Sequence, residues 1–243
     1  MQIDVISCVN EARSDDFVGK TALVIDVLRA TSNMVTGLSA GCRAIVPVET
    51  VQQAKQLHTP EDLLGGERSC NKIPGFHLGN SPFEYNREAV EGKRVVMTTT
   101  NGTRAIQKSQ KAQHVLACSL LNARACAKAA LEIGRDVIIV CAGTQDQFAL
   151  EDGIGAGAVV KEIRGLSKNE PQVNDFGLAM ESCYRQFGDS LQETLQQSAT
   201  GKRLVKLGYA NDIGYCARLN VYEIVPALRE GALVPLVPAP TYR

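Results

Sequence analysis

The sequence predicts an α/β protein with three layers, in which helices cover both faces of a largely parallel or mixed sheet. Short runs rich in Val and Ile are bounded by turn residues and followed by helix-like stretches, which is the pattern of such sheets. A chain of 243 residues can bury one large core or two small ones, so length alone does not settle the number of domains. We expect a single α/β unit over residues 1–243, with a division into two α/β halves near residue 130 as an alternative.

The strands are predicted from apolar runs and the helix starts from capping residues. The predicted strands are short and cover residues 3–7, 22–27, 44–48, 95–99, 115–118, 137–141 and 221–225. Residues 175–208 have helical spacing. In a capping box, a Ser or Thr caps the first turn and a Glu or Gln three residues later bonds back. Three such pairs predict helix starts: Thr50 with Gln53, Ser81 with Glu84, and Ser190 with Glu193.

The composition points to a small-molecule partner. Lys plus Arg equals Asp plus Glu at 26 each, so the chain has no basic excess for nucleic acid or anionic lipid. The first residues are acidic where an export signal would be basic, and we expect a cytoplasmic protein without membrane contact. Eight cysteines without a Cys-x-x-Cys pair indicate reduced thiols. Only base rates suggest a homodimer.

The first candidate site segment is TALVIDVLRATSN, which carries a strand into a helix. Ligands of open α/β sheets bind beyond the carboxyl ends of the strands, where Asp26 and Arg29 stand. Asp26 can bind a hard cation and Arg29 can hold a phosphate. The backbone N–H groups near Thr31 and Ser32 can donate hydrogen bonds to an anion. The alternative is a structural ion pair or helix cap.

The second segment, LLGGERSCNKIPGFHLGNSPFE, packs glycines around Glu67, Arg68 and Lys72. Glycines let the backbone approach a ligand closely, and Glu67 is a further hard-metal ligand. Arg68 or Lys72 would contact an anion. A surface loop with turn glycines is the alternative.

The third segment, KRVVMTTTNGTRA, ends a strand in threonines and then starts a helix. Thr99, Asn101, Gly102 and Thr103 could form an anion cradle from hydroxyl groups and helix N–H groups. The segment lacks the spacing and the lysine of a P-loop. Threonines are also ordinary strand residues, so a purely structural role stays open.

The fourth segment, VIIVCAGTQDQFALEDGIGAGAVV, places Glu151 and Asp152 just before a helix of small residues. These carboxylates could reach the same crevice as Asp26, or could only complement the helix dipole. The GIGAGA run resembles a dinucleotide fingerprint, but its glycines come too long after the strand.

All four segments put polar or charged residues at the carboxyl end of a predicted strand. Together they predict one site for a cation and an anion. Hydrolysis of a phosphate ester needs this combination, because positive groups must offset the charge of the transferring phosphoryl group.

Six ordered blocks of the sequence resemble the 2-phosphosulfolactate phosphatases across nearly the whole chain. The blocks are DVLRATS, GGER with GFHLGNSPFE, TTTNGTRA, CSLLNARA, AG…LEDGIGAGA and CARLN. The resemblance implies Mg²⁺-dependent hydrolysis of (2R)-2-phospho-3-sulfolactate to (2R)-3-sulfolactate and phosphate, a reaction of coenzyme M biosynthesis.

The resemblance and the chemistry of the side chains together assign roles to individual residues. The catalytic candidates are Asp26, Arg29 and Glu67. The candidate Mg²⁺ ligands are Asp26, Glu67, Glu151 and Asp152. The candidate substrate contacts are Thr31, Ser32, Arg68, Thr99, Asn101, Gly102, Thr103 and Arg218, with Arg68 or Arg218 assigned to the sulfonate or carboxylate.

Two rival functions remain open at the level of sequence. Cys118 and Arg124 have the Cys-x₅-Arg spacing of cysteine-dependent phosphatases and follow a predicted strand. A non-catalytic protein that binds anionic metabolites would use many of the same residues. A haloacid dehalogenase type of phosphatase is disfavoured, because Leu28 stands where its second aspartate is required.

Overall fold

The structure is a computed structural model and describes residues 1–236. It contains both strands and helices in alternation. The strands are β1 (Gln2–Ile6), β2 (Thr21–Ile25), β3 (Ala44–Pro47), β4 (Leu63–Arg68), β5 (Asn71–Lys72), β6 (Arg94–Thr98), β7 (His114–Cys118), β8 (Val137–Cys141), β9 (Gln172–Val173), β10 (Pro226–Arg229) and β11 (Ala232–Pro235). The helices are α1 (Ala30–Ser39), α2 (Val51–Leu57), α3 (Arg87–Val90), α4 (Gly102–Lys108), α5 (Ala123–Ile133), α6 (Leu150–Leu166), α7 (Asp175–Phe187), α8 (Leu191–Gln197), α9 (Ala199–Lys206) and α10 (Ala210–Cys216).

The strands form one mixed sheet in the order β5-β4-β6-β3-β11-β10-β7-β2-β8-β1-β9. Strands β4, β6 and β3 run parallel to one another, and so do β7, β2, β8, β1 and β9. The antiparallel hairpin of β10 and β11 lies between these two parallel groups and joins them. The prediction of a mixed α/β sheet is confirmed.

Helices pack on both faces of the sheet, as predicted. On β2, Leu23 and Ile25 face the core formed with α5 and α6. The alternate residues Ala22 and Val24 face the core formed with α1 and α4. This alternation is the two-residue period of a strand that is buried on both sides.

Helix α1 is buried on every side, from Ala30 to Leu38. It contacts β3, β7, β10 and β11. The sheet therefore coils around α1, and strands that are distant in the sheet order come close across the concave face. In particular, β6 and β2 stand five places apart in the sheet, yet Gly102 after β6 lies against Asp26 after β2.

Strands from both sides of residue 130 are interleaved in the sheet. Strand β8 begins at Val137 and pairs with β2 on one side and β1 on the other. The single unit over residues 1–243 and the alternative division near residue 130 both stay predictions.

Six of the seven predicted strands are present within one or two residues of the predicted bounds. The strand predicted at residues 221–225 is wrong. These residues follow an irregular path because their backbone bonds to the turn that precedes α5, through Tyr222 N to Leu121 O and Asn122 Nδ2 to Ile224 O. The pairing strand begins at Pro226, and Glu230 and Gly231, both with positive φ, turn it back into β11.

The capping predictions are confirmed in part. Thr50 and Gln53 form the reciprocal box that starts α2. Ser190 precedes α8 but makes no capping hydrogen bond. Ser81 precedes only a 3-10 helix, Pro82–Glu84, because its hydroxyl donates to Asp212 and Glu84 accepts from Gly79 N instead. Residues 175–208 are largely helical, as predicted, and form α7, α8 and α9.

Within residues 1–236, no helix has both the length and the apolar composition that a membrane span requires.

Candidate active site

A cleft opens at the carboxyl ends of the parallel strands, where the sequence predicted a site. Asp26 and Arg29 follow β2, Glu67 lies at the end of β4, and Thr99 and Asn101 follow β6; all five line the cleft. The loop after β8 adds Thr144 and Gln145. The sheet therefore brings together residues from all four predicted segments.

Asp26 is nearly buried at the floor of the cleft. Its Oδ1 accepts a hydrogen bond from Ala30 N at 3.0 Å at the start of α1. Its Oδ2 accepts none within residues 1–236 and faces Gly102, where an added Cβ would stand 2.7 Å away. Burial raises the pKa of Asp26 to about 7, and the nearby charges of Glu67 and Glu151 add to the rise while the Ala30 bond opposes it.

Glu67 joins the loops that follow β4 and β6. Its Oε1 accepts from both the backbone N and the hydroxyl of Thr100 at 2.8 Å, and its Oε2 accepts from Cys70 N at 2.7 Å. These three donors fix the carboxylate in one orientation beside Asp26.

Glu151 and Asp152 open α6 next to Asp26, but neither lines the cleft directly. Asp152 accepts Val27 N at 2.8 Å and Gly143 N at 2.9 Å, so it ties the ends of β2 and β8 together. Burial, with the charges of Asp26 and Glu151, raises the pKa of Asp152 well above its ordinary value. Glu151 is 2 % exposed, and its Oε2 is buried without a hydrogen-bond partner.

The predicted metal ligands do not form a ready-made cluster. Within residues 1–236, no group of three or more His, Cys, Asp or Glu side chains has an arrangement suited to a metal ion. Some carboxylate oxygens nevertheless lack hydrogen-bond donors from these residues, among them Asp26 Oδ2 and the buried Glu151 Oε2. Oxygen atoms of this kind fit a hard divalent cation, because an unpaired buried carboxylate is costly.

Arg29 contacts the cleft from a buried position and is 2 % exposed. It pairs with Asp212 of α10, donates to Cys70 O at 3.1 Å, and stacks on Tyr209 at 4.6 Å. Asp212 also accepts from Ser81. The sequence analysis missed Asp212 and Tyr209, because they lie about 180 residues away and no local pattern marks them.

Arg203 is a second arginine of the cleft that the sequence analysis missed. It lies on α9, which also contributes Ala199 and Thr200 to the wall. Its Nη2 donates to Ser69 O at 3.1 Å. The only signal in the sequence was a basic residue within the helical segment 175–208.

The structure places several predicted substrate contacts away from the cleft. The hydroxyl groups of Thr31 and Ser32 donate to backbone carbonyls of residues 26 and 27, and both side chains are fully buried. Thr103 is likewise buried and bonds reciprocally with Thr99. These hydroxyl groups form hydrogen bonds with the backbone and do not line the cleft.

The two arginines assigned to the sulfonate or carboxylate are also engaged elsewhere. Arg68 donates to Glu67 O, Glu49 O and the Thr98 hydroxyl. Arg218 is exposed and stacks on the Tyr215 ring at 4.9 Å. Neither lines the cleft.

The cysteine-phosphatase hypothesis is wrong on geometric grounds. Cys118 is fully buried in the core, whereas Arg124 is exposed and lies 3.9 Å from Glu162. The intervening turn is closed by Ser119, whose hydroxyl accepts Leu121 N. No phosphate cradle can form from groups that point in different directions.

The chain has an α/β fold, and its cleft combines carboxylates with arginines. A family model described as 2-phosphosulpholactate phosphatase matches residues 7–231. The chain belongs to this family, whose members are phosphoric monoester hydrolases.

Several curated relatives carry the name probable 2-phosphosulfolactate phosphatase. One from Symbiobacterium thermophilum is 41% identical over 230 residues, which covers 93% of this chain and 98% of the relative. One from Thermotoga maritima is 40% identical over 215 residues, with 88% and 92% covered. One from Clostridium acetobutylicum is 36% identical over 237 residues, with 96% and 100% covered.

Proposed function

We propose that this protein hydrolyses (2R)-2-phospho-3-sulfolactate to (2R)-3-sulfolactate and phosphate in a reaction that depends on Mg²⁺. The observation that carries the proposal is the placement of buried carboxylates, Asp26 and Glu67, beside Arg29 in one cleft. The names of the curated relatives support the choice of substrate.

The charges of the cleft favour a bound cation. The substrate carries a phosphate, a sulfonate and a carboxylate, all anionic near neutral pH. The cleft offers Arg29 and Arg203, but Arg29 is already paired with Asp212, and Asp26, Glu67 and Glu151 add negative charge. A divalent cation would reverse this balance, as phosphoryl-transfer sites require.

The residues of the cleft have distinct proposed roles. Asp26, Glu67 and Glu151 would hold Mg²⁺, and Arg29 would contact the phosphoryl oxygens through N–H groups that its present bonds leave free. Thr99 and Asn101 remain proposed substrate contacts. The bound cation supplies charge compensation for the transferring phosphoryl group. Water attacks phosphorus and loses one proton, and the bond between phosphorus and the C2 oxygen breaks. The C2 oxygen takes up one proton, so the hydroxyl group of 3-sulfolactate forms.

The setting of the reaction is part of the proposal. All eight cysteines are free thiols, which supports a reducing cytoplasm. The equal numbers of acidic and basic residues support a small-molecule substrate in preference to nucleic acid. We place the reaction in coenzyme M biosynthesis, and the homodimer stays a prediction.

The test is phosphate release from 2-phosphosulfolactate and from a panel of other 2-phospho-hydroxyacids, with Mg²⁺ or with EDTA. We expect 2-phosphosulfolactate to have the highest kcat/KM, and EDTA to abolish turnover until Mg²⁺ is restored. Turnover that persists in EDTA would contradict the metal dependence. Binding of the panel without any phosphate release would instead favour the anion-binding alternative.

A further inference from the structure

The proposed substrate carries a sulfonate that needs its own cation, and the structure removes both earlier candidates. Arg68 is held by two carbonyl groups and a hydroxyl, and Arg218 stacks on Tyr215 outside the cleft. Among the described residues, Arg29 and Arg203 are the basic side chains that line the cleft.

The two arginines differ in charge balance and exposure. Arg29 is buried and has Asp212 as its counter-ion. Arg203 is exposed and, within residues 1–236, has no carboxylate within salt-bridge distance. It donates a hydrogen bond to the neutral backbone carbonyl of Ser69. A guanidinium with only a carbonyl partner keeps most of its N–H groups and its full charge for an anion.

One short turn holds both arginines at adjacent points. Ser69 O accepts Arg203 Nη2 and the next carbonyl, Cys70 O, accepts Arg29 Nη2, each at 3.1 Å. The two guanidinium groups are therefore held on consecutive residues of one turn. A small substrate with a phosphate on C2 and a sulfonate on the neighbouring C3 can present one anionic group to each of them.

The wall that carries Arg203 is fixed to the rest of the cleft. The Thr200 hydroxyl, one turn earlier on α9, lies 3.1 Å from the hydroxyl of Thr144 in the loop after β8. The Ser198 hydroxyl caps α9 by accepting Gly201 N. Arg203 is therefore presented from a fixed helix and not from a loose loop.

We propose that Arg203 binds the sulfonate of the substrate and so determines specificity, an inference that rests on the proposed function. The phosphate occupies the buried end near Asp26 and Arg29. The sulfonate, on C3 beside the phosphorylated carbon C2, extends to the exposed end at Arg203. The rigid fork of Arg suits the tetrahedral oxygens of a sulfonate, which stays anionic at every physiological pH.

The experiment compares kcat and KM for 2-phosphosulfolactate and for 2-phospholactate, which lacks only the sulfonate, in wild type, Arg203→Ala, Arg203→Lys and Lys202→Ala. We expect Arg203→Ala to lower kcat/KM for 2-phosphosulfolactate about ten- to a hundred-fold, mainly through KM. Its kcat/KM for 2-phospholactate should change less than about three-fold, and Arg203→Lys should restore part of the preference. Lys202→Ala, an exposed neighbour outside the cleft, should match wild type.

Equal losses on both substrates, or no loss on either, would overturn the assignment of Arg203. Calorimetric binding of 3-sulfolactate and of lactate gives an arm that is independent of turnover. If wild type fails to hydrolyse 2-phosphosulfolactate, the proposed function fails, while selective loss of 3-sulfolactate binding in Arg203→Ala still supports the sulfonate site. If wild type does not bind 3-sulfolactate, or if Arg203→Ala binds it as tightly as wild type does, the assignment of the sulfonate to Arg203 is contradicted.

Discussion

Asp26 both lines the cleft and bonds to the start of the buried helix α1. Its backbone N–H donates to the Thr31 hydroxyl, and its Oδ1 accepts from Ala30 N in the first turn of α1. Its Oδ2 points to the cleft beside Gly102. One carboxylate therefore both starts the central helix and offers an oxygen to a ligand.

Gly102 is needed because α4 approaches Asp26 closely. An alanine there would place its Cβ 2.5 Å from the Ala30 Cβ and 2.7 Å from Asp26 Oδ2. We expect Gly102→Ala to lower kcat/KM at least about ten-fold and the free energy of unfolding by about 1–3 kcal/mol, through this overpacking. Steady-state kinetics and urea unfolding measure the two effects.

Gly165→Ala is the matched control for that change. An added Cβ at Gly165 meets no atom within 4 Å, at a helical position near the end of α6. Its activity and stability should equal or slightly exceed those of wild type, since alanine favours a helix. A Gly102→Ala protein with wild-type activity would mean that Asp26 does not require its present position.

At the scale of residues, sequence patterns located the site but not all of its members. Asp26 and Asn101 were predicted because each lies at the end of a predicted strand, where sheet geometry brings such residues to one edge. Glu67 was predicted because glycines surround it in the sequence. Thr31 and Ser32 were assigned to the substrate because a pattern cannot tell a hydroxyl that faces a cleft from one that bonds its own helix. Arg203 and Asp212 depend on tertiary packing alone.

At the scale of elements, an ion pair fixes the start of β6 against the segment before β4. Arg94 donates to both carboxylate oxygens of Asp62, which also accepts the N and hydroxyl of Thr59. The hydrogen bond from Arg94 holds the pKa of Asp62 well below its ordinary value, although burial opposes the shift. This pair aligns two strands whose carboxyl ends carry Glu67 and Thr99.

The lowered pKa of Asp62 predicts a pH-dependent contribution to stability. The contribution is complete above the unfolded-state pKa, near 3.9, and is lost as pH falls from there toward the folded-state pKa. We expect Asp62→Asn to lower the free energy of unfolding at pH 7 by on the order of 2 kcal/mol. Urea unfolding should show that difference shrinking as pH falls below about 4.

Glu91→Gln provides the comparison at an exposed pair. Glu91 and Arg87 are one helical turn apart, with side chains 54% and 78% exposed. Solvent screens such a pair, so stability at pH 7 should stay close to that of wild type. If Asp62→Asn behaved like Glu91→Gln at every pH, the ion pair between Asp62 and Arg94 would not hold β4 and β6 together.

The elements themselves were predictable where one local signal dominated. Strands buried on both faces gave continuous apolar runs, and six of the seven strands predicted from such runs are present. β4 was missed because two glycines interrupt its run, and they are present because Tyr85 and the Thr98 backbone occupy the space that side chains would need. β10 and β11 were missed because each is four residues long and their outer neighbours in the sheet, β7 and β3, lie far away in the sequence.

At the scale of the whole molecule, the hairpin of β10 and β11 closes the sheet around α1. Leu233 of β11 is fully buried and lies opposite Ile45 of β3. We expect Leu233→Ala to lower the free energy of unfolding by about 3 kcal/mol, because it leaves a cavity where the two parallel groups of strands join. Circular dichroism and tyrosine fluorescence should report one shared urea transition.

Leu57→Ala is the control for the hairpin. Leu57 ends α2 and is 49% exposed, so the same truncation should change stability by less than about 1 kcal/mol. Two separate transitions in Leu233→Ala, one for each parallel group, would show that the groups fold independently and that the hairpin does not unite them.

The layout of the whole molecule was the part least accessible from sequence. The alternative division near residue 130 follows chain order, whereas the sheet inserts β8 between β1 and β2 and places the hairpin of β10 and β11 at its centre. The coiling of the sheet brings β2 and β6 to one cleft, and that closeness has no local signature in the residues of either strand.

The most direct test of the whole account is phosphate release from 2-phosphosulfolactate in Mg²⁺ by wild type, Asp26→Asn and Cys118→Ser, each shown to be folded by circular dichroism. Asn keeps the oxygen that accepts Ala30 N but removes the charge. The account predicts that Asp26→Asn lowers kcat at least about a hundred-fold, while Cys118→Ser keeps turnover. Full activity in Asp26→Asn, or its loss in Cys118→Ser alone, would contradict the assignment of the active site to this cleft.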